Sequence, residues 1–193
     1  LEAGVSGRAL PAAEREAQEL LELSSRAPDL LRVVRKMPRS ADELRTLIAQ
    51  GFDAVHFAGH AERGTSGEAG WVLAGGDVVS LGELFEGLPP PLLVFANACG
   101  SGGRAVRAAE GMGGAARLVL RQGVGAYLGT LWELHDAGSA AFASSFYRAL
   151  ARGSTLGAAV TAARSASLGT HAFTWANYVL YGDPALRALA PSA

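Results

Sequence analysis

The sequence predicts an α/β fold with a mostly parallel sheet covered by helices on both faces. Three observations carry this. Stretches of helical periodicity alternate along the chain with short apolar runs, the order expected of βα units rather than of a bundle or a sandwich. The runs at 53–58 and 92–96 are apolar at nearly every position, as in strands buried on both faces. Capping boxes, glycines and prolines fall between the periodic stretches, where chain punctuation belongs.

Taken in order, Pro11 opens a helix at a position where its missing N–H is harmless. Ala13, Ala17, Leu20 and Leu21 then fall on one face. Residues 30–34 read as a short strand. Ser40-Ala41-Asp42-Glu43 is a capping box ahead of Leu44, Leu47 and Ile48, and Gly51 is placed to stop that helix. Residues 53–58 are a strand that ends at Gly59-His60, and the polar, glycine-rich stretch 61–70 reads as a loop. A small hairpin follows, with 71–74 and 77–79 as arms and Gly75-Gly76 between them. A second capping box, Ser80-Leu81-Gly82-Glu83, is expected to start a short helix closed by Gly87.

Beyond Pro89-Pro90-Pro91 comes the most apolar strand, 92–96, leading into Asn97-Ala98-Cys99. The segment 100–114 has glycine at 100, 102, 103, 111, 113 and 114 and is expected to be a mobile loop. A helix near 115–122 and a strand over 125–132 come next. Asp136 is an N-cap for a helix with Phe142, Phe146 and Leu150 on one face, and Ser154 starts another with Leu156, Val160 and Ala163. Residues 175–181 read as the last strand, cut off by Gly182-Asp183-Pro184.

At about 150 residues per domain, 193 residues correspond to one domain. The first residue is Leu rather than Met, so a piece of a longer protein is expected. A formal charge of −1 gives no footprint for direct nucleic-acid binding. The single lysine, Lys36, is not preceded by glycine, which excludes a GxxxxGK[ST] phosphate loop. One cysteine, Cys99, allows no intrachain disulfide. No apolar run approaches the roughly 18 residues that span a bilayer, and no signal peptide is visible. A cytoplasmic location without membrane attachment is expected.

In an open α/β sheet, ligands bind beyond the carboxyl ends of the strands. Two predicted strands end in reactive side chains, one in His60 and one in Cys99. A thiol with an imidazole in reach is the minimum for covalent catalysis, because the thiolate attacks and the imidazole manages its proton. Glycine-rich turns near 59–61 and 99–102 offer backbone N–H groups for an oxyanion. Taken singly, such a cysteine is more often a buried inert thiol, and such a histidine more often a hydrogen-bonded loop residue. His56 and His60 are four apart, but along a strand they lie too far apart to share a metal ion, and no HExxH pattern is present. No metal and no cofactor are therefore expected. His135 and His171 sit in loop-like surroundings. Asn97, Glu133 and Asp136 can reach the same sheet edge, with a strand-end turn, a surface charge and a helix cap as their ordinary roles. There is no GxSxG elbow, and Gly123-Val124-Gly125 fails as a dinucleotide loop because it runs into a strand.

Several of these fragments resemble the CHAT domain, a bacterial branch of the caspase–separase group of cysteine proteases. They are Leu10-Pro11-Ala12-Ala13-Glu14-Arg15-Glu16-Ala17, Val55-His56-Phe57-Ala58-Gly59-His60 and Phe95-Ala96-Asn97-Ala98-Cys99-Gly100-Ser101-Gly102. Gly129-Thr130-Leu131-Trp132 with Asp136, Phe146-Tyr147-Arg148-Ala149-Leu150, Ala162-Ala163-Arg164 and Trp175-Ala176-Asn177-Tyr178-Val179-Leu180-Tyr181-Gly182-Asp183-Pro184 continue the series. The resemblance implies a caspase-like three-layer α/β/α sandwich over 1–193. It further implies a cysteine endopeptidase in which His60 is the catalytic histidine and Cys99 the nucleophile. The implied oxyanion donors are the backbone N–H groups of Cys99 and Ala61, where many relatives have glycine after the histidine. Asn97 stands where arginine-cutting relatives often carry an acid, and Asp136 becomes an alternative floor for a specificity pocket, with Glu133 beside it. The implied partners are a protein or peptide substrate and a regulatory or sensor domain in the same or a partner chain. A strand normally precedes the Leu-Pro-Ala-Ala segment in this family, so upstream sequence is expected to complete the sheet. The alternatives are a non-catalytic regulatory or scaffolding domain on the same fold, and a small-molecule acyltransferase or hydrolase using the same pair.

Overall fold

A computed structural model of the chain describes residues 11–64, 67–99, 108–132, 136–168 and 173–187. Six strands form one open sheet: β1 (Ala54–Arg63), β2 (Ala69–Val72), β3 (Val78–Ser80), β4 (Leu93–Cys99), β5 (Ala126–Thr130) and β6 (Tyr178–Gly182). Their order is β3-β2-β1-β4-β5-β6. The centre is parallel, with β4 between β1 and β5. Both flanks are antiparallel, through the β2–β3 hairpin on one side and β6 on the other.

Helices cover both faces, giving the three-layer α/β/α arrangement expected. On one face lie α1 (Pro11–Arg26), α4 (Asp136–Ala151) and α5 (Leu156–Ser167). Leu20, Phe95, Leu128, Phe142, Phe146, Leu150 and Tyr178 make the core between them and the sheet. On the other face lie α2 (Ala41–Ile48) and α3 (Ala108–Leu120). There Leu44, Ile48, Phe57, Trp71, Phe85, Val94 and Val119 form the second core. Alternation along the strands sorts the residues: His56 and Phe95 face the α1/α4/α5 layer, Phe57 and Val94 the α2/α3 layer.

Local signals place most helices. Ser40 caps α2 by accepting from Glu43 N–H, while Glu43 Oε2 accepts from Arg39 N–H at 2.6 Å. Gly51 follows at φ 78°, and Phe142, Phe146 and Leu150 are buried along α4. The cap of α5 is Thr155, accepting from Ala158 N–H, rather than the expected Ser154.

Five expectations need correction. Residues 30–34 are extended but join no ladder: Ser24 on α1 donates to Leu31 O at 2.9 Å and accepts from Val33 N–H at 3.1 Å. That serine takes backbone bonds that a neighbouring strand would otherwise supply. β1 does not stop at His60 but runs to Arg63, because β2 returns to pair with residues 61–63. Residues 81–87 are successive turns rather than a helix. Ser80 Oγ accepts from Gly82 N–H instead of Glu83 N–H, and Arg45 donates to Glu83 O and Glu86 O from outside. Residues 108–114, expected within a mobile loop, belong to α3; glycine costs about 1 kcal/mol in a helix, and burial of Ala115, Ala116 and Val119 offsets it. Residues 174–177 form a one-turn helix, α6 (Thr174–Asn177), entered through Phe173 at φ 58°, and β6 begins only at Tyr178.

Candidate active site

The site is built by the pairing of β1 with β4. Their parallel register aligns His56 with Phe95, Ala58 with Asn97 and His60 with Cys99. The His60–Cys99 pair is the last rung, since beyond it β1 changes partner and pairs Ala61 with Trp71 of β2. Residues of one parallel rung lie about 4.8 Å apart across the ladder. The backbone therefore brings the two residues singled out in the sequence to one level, at the carboxyl end of the parallel β1–β4 ladder.

His60 is half-buried, yet its Nδ1 is fully enclosed and finds no hydrogen-bond partner among the described residues. An enclosed, unpaired nitrogen costs about 1–3 kcal/mol, and such orphans in folded proteins call for an explanation. The neighbouring position of the rung is Cys99.

The phase of the ladder bears on the oxyanion donors. Leu93 N–H donates to Asp53 O at 3.1 Å, so odd-numbered positions of β1 and β4 exchange the bonds of this pair. In that phase Cys99 N–H is directed to Gly59 O, and Ala61 N–H to Cys99 O. The other flank agrees: Gly64 N–H donates to Glu68 O at 2.9 Å, which makes Ala61–Trp71 a pair that is not bonded across β1–β2. The Ala61 N–H thus faces β4, and both expected donors are committed to the last rung.

Below that rung lies a buried polar network. Glu16 on α1, only 2% exposed, accepts from Asn97 Nδ2 at 2.5 Å. The same Oε1 lies 2.7 Å from His56 Nε2, an ion-pair distance without hydrogen-bond alignment. His56 Nδ1 and Tyr147 Oη of α4 share a hydrogen bond of 3.1 Å, and Tyr178 Oη donates to Asn97 Oδ1 at 2.7 Å. Burial, with a smaller contribution from the Glu16 charge, pushes the Tyr147 phenol far above its ordinary range, so it stays a neutral hydroxyl.

The specificity candidates separate. Asn97 is buried, and both ends of its amide are engaged within the network, so it faces inward rather than toward a bound chain. Glu133 lies outside the described residues, as do His135 and His171. The backbone of Asp136 begins α4. His56 and His60 share a strand face, and no group of three metal-ligating side chains occurs among the described residues. At the same sheet edge, Asn177 fixes the chain after β5: its Oδ1 accepts from Leu131 N–H at 2.9 Å and Trp132 N–H at 3.0 Å. Trp132 is left 49% exposed. Glu16, Tyr147, Tyr178 and Asn177 were not singled out in the sequence. Glu16 carried the one available signal, an acid among Ala13, Ala17 and Leu20 on an apolar helix face.

A three-layer α/β/α sandwich whose central parallel β1–β4 ladder closes on a histidine and a cysteine defines a protein of caspase-like fold. The family model for the CHAT domain matches residues 2–183, and the chain belongs to the CHAT domain family, a caspase-like protease family. No curated protein matches the chain. Among the described residues no helix is long and apolar enough to cross a membrane.

Proposed function

We propose that the protein is a cysteine endopeptidase that cleaves protein substrates through His60 and Cys99. The observation that carries this reading is the shared last rung of the two residues, next to which His60 Nδ1 is enclosed and has no partner among the described residues. The thiol proton passes to the imidazole, and the thiolate attacks the scissile carbonyl to give a tetrahedral oxyanion. Collapse breaks the C–N bond, with the imidazolium proton leaving on the amine. Water, deprotonated by the same imidazole, then hydrolyses the thioester, releases the acid and restores the thiol.

The ladder phase favours an enzyme that rests inactive. With Ala61 N–H and Cys99 N–H directed into the last rung, an oxyanion gains its donors only when that rung parts. β4 pairs with β5 no further than Phe95–Leu128, yet continues beside β1 to Cys99, so among the described residues the backbone ladder of the strand end is with β1. This supports activation by a regulatory or sensor domain, in the same chain or a partner; the setting proposed is cytoplasmic. The same observation favours the second reading, a scaffolding domain that never opens. A peptide-cleavage screen of the full-length protein with candidate partners, run beside Cys99→Ala, separates them. Cleavage lost in a folded Cys99→Ala supports the peptidase; cleavage unchanged in that variant, or absent under every condition, overturns it.

A further inference from the structure

We infer that Glu16 is a positioning residue for the His60–Cys99 pair, holding the two strands that carry it in a fixed relation to α1; this rests on the peptidase reading above. A carboxyl group among Ala13, Ala17 and Leu20 is costly to bury unless partnered, and side chains that merely pack would serve that helix face better. Its partners are one residue on each catalytic strand. A single oxygen, Oε1, takes the Asn97 amide of β4 at 2.5 Å and stands 2.7 Å from His56 of β1. Asn97 is one pleat repeat, about 6.7 Å, before Cys99. His56 is two repeats before His60.

Apolar packing of α1 leaves a gap at this level. A cavity of about 20 Å³ lies between Glu16, Ala17, Leu20, Val33, His56 and Ala58, room for about one water. The polar contacts thus add to the packing of Ala13, Ala17 and Leu20 in setting the helix against the strands. Tyr147 and Tyr178 close the far sides of the network, so a shift of Glu16 is passed to the strands rather than absorbed by its neighbours. Misplacement of reacting groups by about 1 Å costs up to ~10²-fold in rate.

The test compares Glu16→Gln, Glu16→Met and Leu20→Ala in the full chain. It reads kcat, KM, melting temperature and the rate at which iodoacetamide alkylates Cys99. Glu16→Gln retains an oxygen for Asn97 and is expected within about threefold of the parent in kcat. Glu16→Met is expected to lower kcat about tenfold or more, with KM within threefold and alkylation slowed in step. Leu20→Ala loosens the same helix face and is expected to lower the melting temperature while sparing kcat. Unchanged kcat and alkylation in Glu16→Met, or an equal kcat loss in Leu20→Ala, overturns the inference. Should Glu16→Met not fold, Asn97→Ala removes the same hydrogen bond from the other side, and unchanged kcat there overturns it equally. If the parent shows no Cys99-dependent cleavage, the peptidase reading fails instead, while the alkylation rates still decide whether Glu16 positions the pair.

Discussion

Replacing Phe95 by Ala is expected to destabilise the domain by about 3–5 kcal/mol. Phe95 is fully buried in the middle of β4, the strand paired on both sides by parallel neighbours. Its ring meets five others: His56 edge-on at 4.6 Å between centroids, Phe146 at 5.4 Å, Tyr178 at 5.7 Å, Tyr147 at 5.9 Å and Phe142 at 6.4 Å. Truncation removes one side of all these contacts at once. The surrounding residues come from β1, α4 and β6, which cannot all move inward to fill the space. The site above is affected too, because Phe95 and His56 form the rung beneath the Glu16–Asn97 contact. Urea denaturation of the parent and the variant measures the difference. A loss under about 1.5 kcal/mol would mean that the core collapses around the gap.

The second large effect has opposite signs for activity and stability. His60→Leu is expected to lower Cys99-dependent cleavage by about 10²–10⁴-fold, the contribution of a positioned acid–base group. The same change is expected to leave the fold as stable as before, or more stable by up to about 1 kcal/mol. His60 carries an enclosed Nδ1 without a partner among the described residues, and leucine has no such atom to leave unpaired. Thermal unfolding beside cleavage assays reads both numbers. A stability loss above about 2 kcal/mol would assign His60 a structural role, and retained cleavage would remove it from the mechanism.

Where a signal is local, it was legible in the sequence. Ser40 and Glu43 mark the start of α2, and the glycine between the arms of the hairpin, Gly76, adopts φ 92°. The strand cores of β1 and β4 follow from apolar runs that only a covered sheet accommodates. Signals that depend on distant partners were not legible. Residues 61–63 are polar and look like loop until β2 folds back to pair with them. Residues 30–34 are apolar enough for a strand, but Ser24 takes up the backbone bonds of Leu31 and Val33. The turn 81–87 carries a capping box, yet Arg45 and Gln122 reach in from α2 and the end of α3 to bind its backbone.

His60 and Cys99 stood out in the sequence because each follows an apolar run that had to be a central strand. Their equal level on neighbouring strands was not legible, since register is set by contacts along the whole ladder. Nor was the network beneath them. Glu16, Asn97, Tyr147 and Tyr178 are separated by long stretches of chain and meet only because α1, α4, β4 and β6 converge on one sheet face.

Cys99 is the single cysteine of the chain, so its reaction with iodoacetamide reports on one atom. Measuring the alkylation rate between about pH 5 and 8, in the parent and in His60→Leu, asks directly whether thiol and imidazole act as one unit. A thiol paired with an imidazole stays reactive at mildly acidic pH, whereas an ordinary thiol does not. The expected result is a rate at pH 6 at least about tenfold higher in the parent than in the variant. Superimposable profiles in two folded proteins would contradict the pairing.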